Sequence, residues 1–184
     1  PALMMALVYM CLLVWPLGEP SVLVLDLNAQ YVYYFEKLRN ILVSGDSLLY
    51  SFERALGGEF MGIFAYYLSS PLSILVAFLP KVMMTESLFL LLVIKTGLCG
   101  ATFGYYLTKT RMARPVWTVM FSCMYAMCSY VVVMQHNIMW IDNVILFPLI
   151  LLGMDMLIRE GRFRLYVGAL ALAILSNFYI GYMT

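Results

Sequence analysis

The chain has 184 residues, of which 64% are hydrophobic, 15% aromatic and only 11% charged, with a formal net charge of +1. A soluble domain carries about 25% charged residues, so this chain has too little polar surface to cover a water-soluble globule. The near-neutral charge gives no footing for nucleic acid, and a mean hydropathy of +0.92 places the chain in a membrane.

About 20 apolar residues cross a bilayer. On that measure the sequence predicts an all-α, polytopic membrane helix bundle with five transmembrane segments, at about 2–17, 87–107, 115–134, 143–158 and 165–184. The first, within 1–17, is short. Pro1 and Thr184 both fall in apolar segments, so the sequence reads as part of a longer chain. A cleaved signal peptide over 1–15 is disfavoured, because no charged n-region and no small-residue cleavage pattern accompanies it.

The stretch 18–86 between the first two segments is patterned. Tyr31, Tyr34, Phe35, Leu38, Ile41 and Leu42 form one helical stripe, with Glu36, Lys37, Arg39 and Asn40 on the other side, as suits a helix lying in the membrane interface. Ser44-Gly45-Asp46 and Gly57-Gly58 mark breaks. Residues 60–68 and 71–80 are apolar pieces, split by Ser69-Ser70-Pro71 and too short to cross, so interfacial or re-entrant placement is expected.

Loop charge sets the orientation. Residues 108–114 hold Lys109, Arg111 and Arg114 with no acid, and 159–164 hold Arg159, Arg162 and Arg164 against Glu160. The 18–86 stretch holds four basic against seven acidic residues. Positive loops stay in the cytoplasm, so 18–86 is expected outside a multi-pass cytoplasmic membrane protein and 87–184 to carry the remaining four segments.

That orientation gathers the polar candidates on the outer side. Asp26 follows the apolar run Val22-Leu23-Val24-Leu25, with Gln30, Tyr33 and Lys37 on the same helical face; it suits an N-cap for a helix over 28–43 and equally a general base. The 135–143 connection carries Gln135, His136, Asn137, Trp140, Asp142 and Asn143. His136 has the chemistry of a proton carrier, and Trp140 that of an interfacial belt residue. Asn177, Tyr179 and Tyr182 sit near the outer end of the last segment. Lys95 lies inside an apolar run, where a charge marks a functional position by default; it suits a phosphate ligand, a partner for a carboxylate on another helix, or a side chain that snorkels outward.

Cys11, Cys99, Cys123 and Cys128 lie in apolar segments without Cys-x-x-Cys spacing, so they read as small hydrophobes rather than a zinc or disulfide framework. No P-loop and no Gly-x-Ser-x-Gly elbow is present. Gly100 and Gly104 form a Gly-x-x-x-Gly pair that allows close helix packing.

Six motifs occur in order: Asp26-Leu27-Asn28-Ala29-Gln30-Tyr31, Leu56-Gly57-Gly58, Ala65-Tyr66-Tyr67-Leu68-Ser69-Ser70-Pro71, Ile94-Lys95-Thr96-Gly97, Asp142-Asn143-Val144-Ile145-Leu146-Phe147-Pro148-Leu149 and Asn177-Phe178-Tyr179-Ile180-Gly181-Tyr182-Met183. Over nearly all of 16–184 the series resembles the N-terminal part of the bacterial membrane protein YfhO family. The resemblance implies a GT-C-like glycosyltransferase that moves a sugar from a polyprenyl-phosphate carrier to an extracytoplasmic acceptor such as teichoic acid or another cell-envelope glycopolymer. It also implies an essential acid in the first external loop, matched here by Asp26. Gln30, Arg54, Lys95, His136, Asn137, Asp142, Asn143, Asn177 and Tyr179 are the candidate substrate-binding residues, with membrane lipids around them. Lys95 or Arg54 would neutralise the leaving phosphate, and a divalent metal could take their place. The competing expectations are a transporter or flippase for a lipid-linked sugar, which would use discontinuous helices, and a non-catalytic membrane assembly subunit.

Overall fold

The computed structural model describes the chain except for residues 15, 17, 54, 55 and 111–113. Helix α1 (Ala2–Cys11) precedes a π turn (Leu27–Tyr31) that runs into α2 (Val32–Ser44). A two-residue antiparallel ladder, β1 (Tyr50–Ser51) with β2 (Gly58–Glu59), leads to α3 (Met61–Ile63), which continues as a π segment (Phe64–Leu68). A 3-10 segment (Pro71–Phe78) follows, bent by 99° from the piece before it. After the 3-10 turn Lys81–Met83 come α4 (Met84–Lys109), α5 (Pro115–Ala126), α6 (Ser129–Met134), α7 (Ile141–Glu160), α8 (Arg164–Ser176) and α9 (Phe178–Met183). The architecture is an all-α membrane helix bundle.

Among the described residues, two helical runs are long and apolar enough to span a bilayer, Lys81–Lys109 and Ile141–Glu160, and the bent pair over 61–78 would make a third if it counts as one span. The other apolar segments are shorter or divided. Helix α1 covers only part of 2–17. In 115–134, α5 stops at Ala126 and Cys128 takes an extended conformation before α6. In 165–184 the chain is extended at Asn177, between α8 and α9.

Helix α4 is the hub, with α1, α5, α7 and the 3-10 segment at 71–78 packed around it. Its buried Leu88, Leu91 and Leu92 meet Met5 and Tyr9 of α1, Phe35 and Leu38 of α2, and Ile138 and Met139 of the α6–α7 connection. The apolar stripe read along 31–42 therefore divides: Phe35 and Leu38 are core, whereas Leu42 is exposed. Helix α2 ends where Gly45 turns left-handed (φ +75°), a conformation glycine adopts without a Cβ clash. Helices α7 and α8 approach closely because Gly153 has no side chain; a Cβ there would sit 2.4 Å from the Tyr166 backbone nitrogen.

Pro148 lies inside α7. It has no N–H, so it cannot bond the carbonyl four residues back, that of Val144. The Tyr125 hydroxyl of α5 donates to that oxygen at 2.8 Å, and the defect is repaired by a neighbouring helix. Tyr125→Phe is expected to lower stability by about 0.5–2 kcal/mol, measured as the unfolding midpoint in detergent. An unchanged midpoint would mean that the Val144 carbonyl finds another donor.

Candidate functional site

The Asp26 carboxylate is exposed and follows Leu25, whose φ of +49° is left-handed backbone that costs a non-glycine residue energy and is held only by its surroundings. The side chain makes no helix-capping hydrogen bond. Its neighbour is Tyr31, whose hydroxyl lies 3.4 Å from Asp26 Oδ2. The π turn explains why Tyr31 and not Gln30 reaches the carboxylate: the widened turn brings residues five apart into line, where an α-helix would align those four apart. Gln30 is exposed beside it.

Tyr31 is itself buried, and its hydroxyl lies 3.1 Å from Asn137 Oδ1, across 106 residues of chain. Burial, and then the adjacent Asp26 carboxylate, hold the Tyr31 hydroxyl well above its usual ionisation range, so it stays a donor. Asn137 Nδ2 lies 3.0 Å from His136 Nε2, and His136 Nδ1 is 3.1 Å from the Val133 carbonyl. The loop is anchored at Gln135, which accepts from the Tyr9 hydroxyl of α1. Asp26, Asn137 and His136 thus belong to one hydrogen-bonded chain.

Around Tyr31 stands an aromatic cluster. Its ring lies 5.1 Å from Tyr67 and 6.4 Å from Tyr34, and Tyr66 links Tyr67 to Phe178 and Tyr179 of α9. Tyr34 also lines a cavity of about 320 Å³ with Tyr33, Glu36, Lys37, Ser51 and Glu53.

Of its expected roles, Lys95 takes that of partner to a carboxylate on another helix. Fully buried, it donates to Asp142 Oδ2 at 2.7 Å and to the Ile138 carbonyl at 2.8 Å. Asp142 Oδ1 accepts from Ser70 Oγ at 2.9 Å. The pair ties α4, the start of α7 and the bend at 69–71 together, and neither charge faces open space. Beside it Asn143 is buried, and its carboxamide has no hydrogen-bond partner among the described residues.

Asn177 has a clear local task. Its Oδ1 accepts from Ile180 N, capping α9, and its Nδ2 donates to the Tyr66 carbonyl at 2.9 Å. Ser69 Oγ reaches back to the Ser176 carbonyl. The α8–α9 break is thereby clamped to the π segment at 64–68. Asn177→Ala is expected to cost about 1–3 kcal/mol through a lost cap and an orphaned buried carbonyl. Asn177→Ser, which keeps a cap acceptor but has no amide to reach the Tyr66 carbonyl, should fall between Ala and wild type in thermal unfolding; equal midpoints for all three would deny both bonds.

Arg54 lies outside the described residues. Among the described residues no three His, Cys, Asp or Glu side chains gather at one place. Tyr31 and Ser70 were not singled out from sequence. Tyr31 reads there as part of an apolar stripe, and the signal available was a hydroxyl five residues after an acid.

A family model for the bacterial membrane protein YfhO matches residues 1–184. The chain belongs to the YfhO family. No curated protein and no solved structure matches this YfhO-family chain.

Proposed function

We propose that this YfhO-family protein is a GT-C-type membrane glycosyltransferase, with a polyprenyl-phosphate-linked sugar as donor and an extracytoplasmic glycopolymer such as teichoic acid as acceptor. The observation that carries the reading is the exposed Asp26 carboxylate, set after a strained backbone turn with the Tyr31 hydroxyl and its aromatic cluster beside it. An exposed carboxylate can come within reach of a substrate proton, the first requirement of a general base.

In the reaction the acceptor hydroxyl oxygen bonds to the anomeric carbon while the bond from that carbon to the carrier phosphate oxygen breaks. The hydroxyl proton passes to Asp26, and the electron pair leaves on the phosphate. Tyr33, Tyr34 and the carboxylates of the adjoining cavity offer ring faces and acceptors for a sugar. Lys95 serves by fixing the start of α7 rather than by meeting phosphate, since its charge is already matched by Asp142. In this reading the 18–86 stretch is extracytoplasmic, on the loop-charge argument, and the apolar segments hold the carrier chain.

A second reading, a transporter for a lipid-linked sugar, draws on the 99° bend between 61–68 and 71–78, since transporters build midplane sites from broken helices. The deciding experiment reconstitutes the full-length protein in vesicles with polyprenyl-phosphate sugar and acceptor on opposite or matching sides. Sugar incorporated into the acceptor supports the transferase; donor crossing the bilayer without incorporation replaces it with the transporter.

A further inference from the structure

The chain Asp26–Tyr31–Asn137–His136 has a direction, and that direction depends on a proton. The Val133 carbonyl can only accept, so His136 Nδ1, 3.1 Å away, carries the hydrogen. In a neutral imidazole Nε2 is then an acceptor, and it takes a hydrogen from Asn137 Nδ2 at 3.0 Å. The Asn137 carboxamide is thereby oriented with Oδ1 toward Tyr31, whose hydroxyl donates to it at 3.1 Å. A tyrosine hydroxyl has one proton. With that proton on Asn137, Asp26 is left with a long 3.4 Å approach and little of the bond.

Protonation of His136 puts a hydrogen on Nε2, facing the hydrogens of Asn137 Nδ2. The conflict is relieved by a half-turn of the carboxamide. Oδ1 then accepts from Nε2–H, Nδ2 donates to the Tyr31 oxygen, and the Tyr31 proton is free only for Asp26. Tyr31 and Asn137 are nearly enclosed, so water has little access to substitute for either partner. A hydrogen bond given to a carboxylate stabilises its charged form and weakens it as a base.

Among the described residues the other ionisable groups facing this chain are few, with Tyr66 near Tyr31 one of them. Tyr9 reaches the loop through Gln135, Tyr67 and Tyr34 pack on Tyr31, and the Lys95 and Asp142 charges from α4 and α7 match each other. Among the described residues Asp26 is the ionised group at the far end of the chain from His136.

We propose that Tyr31 and Asn137 are positioning residues through which His136 sets the basicity of Asp26: neutral His136 draws the Tyr31 proton away from the carboxylate, and protonated His136 returns it. The proposal rests on Asp26 being the base of the transferase reading, but its hydrogen-bond logic can be tested without turnover.

The test uses the full-length protein labelled with ¹⁵N-histidine, the His136 signal being assigned by its loss in His136→Gln. The expected neutral form carries its proton on Nδ1, and Asp26→Asn shifts the His136 titration to lower pH because the coupled carboxylate is gone. In transfer assays, wild type should show a partial acid-side step of roughly three- to tenfold. That step should vanish in His136→Gln and in Tyr31→Phe, leaving only the final loss as the base itself is protonated. A neutral His136 protonated on Nε2, a titration indifferent to Asp26→Asn, or an acid-side step retained in His136→Gln would each overturn the proposal. Absence of transfer by the wild type would instead strike the glycosyltransferase reading, and the nitrogen signals would still decide the switch.

Discussion

Asp26→Asn in the full-length protein is expected to reduce sugar transfer by about 10²–10⁴-fold, the usual worth of a positioned acid–base group. The substitution is close to isosteric and removes the charge and the basicity. Asp26 makes no capping bond and its side chain is exposed, so the fold should lose little; a surface substitution of this kind ordinarily changes stability by about 0.5 kcal/mol or less. Unfolding midpoints within a degree or two of wild type, together with the loss of transfer, would separate chemistry from folding. Transfer at wild-type rate by Asp26→Asn would remove Asp26 from the reaction and turn attention to the 135–143 connection.

Lys95→Met is expected to have the largest effect on stability, about 3–5 kcal/mol, because it leaves the Asp142 charge buried without its counterion. Asp142→Asn alone should also be costly, since it strands the ammonium of Lys95. The double variant Lys95→Met with Asp142→Asn restores neutrality and keeps an acceptor for Ser70, so it should recover most of the loss. Thermal unfolding in detergent across this cycle gives the coupling directly. Singles that fold like wild type but lose transfer would show Lys95 acting on substrate instead.

The pair also explains how a bundle with few long spans holds its polar groups. Ser70 sits at the 99° bend and Asp142 in the first turn of α7, and Lys95 on α4 joins Asp142 to the Ile138 carbonyl just before α7. In an apolar surround such groups must satisfy one another, because no water is there to do so. The Asn177 clamp on Tyr66 and the Tyr125 repair of Val144 are further instances of the same requirement.

Much of this was written in composition and periodicity. The scarcity of charge alone decided for a membrane bundle. The apolar runs located the helices that became α4 and α7, because length and hydropathy are properties of the local chain. Gly45 marked the end of α2 for a similarly local reason: a left-handed cap is open to glycine at little cost. Lys95 stood out from sequence as an anomaly whose possible resolutions could be named.

Tertiary structure alone decided between them. Asp142 is 47 residues from Lys95, Asn137 is 106 from Tyr31, and Asn177 is 111 from Tyr66. Periodicity says which face of a helix is apolar, but not which helix will lie against it. The choice of Tyr31 over Gln30 as the neighbour of Asp26 was hidden for a related reason, since a π turn rotates a face in a way that an α-helical reading of the same residues cannot anticipate. Local chemistry placed the donors and acceptors along the chain, and packing chose among them, because in a medium without water a buried polar group is stabilised by whichever partner the folded helices bring within about 3 Å.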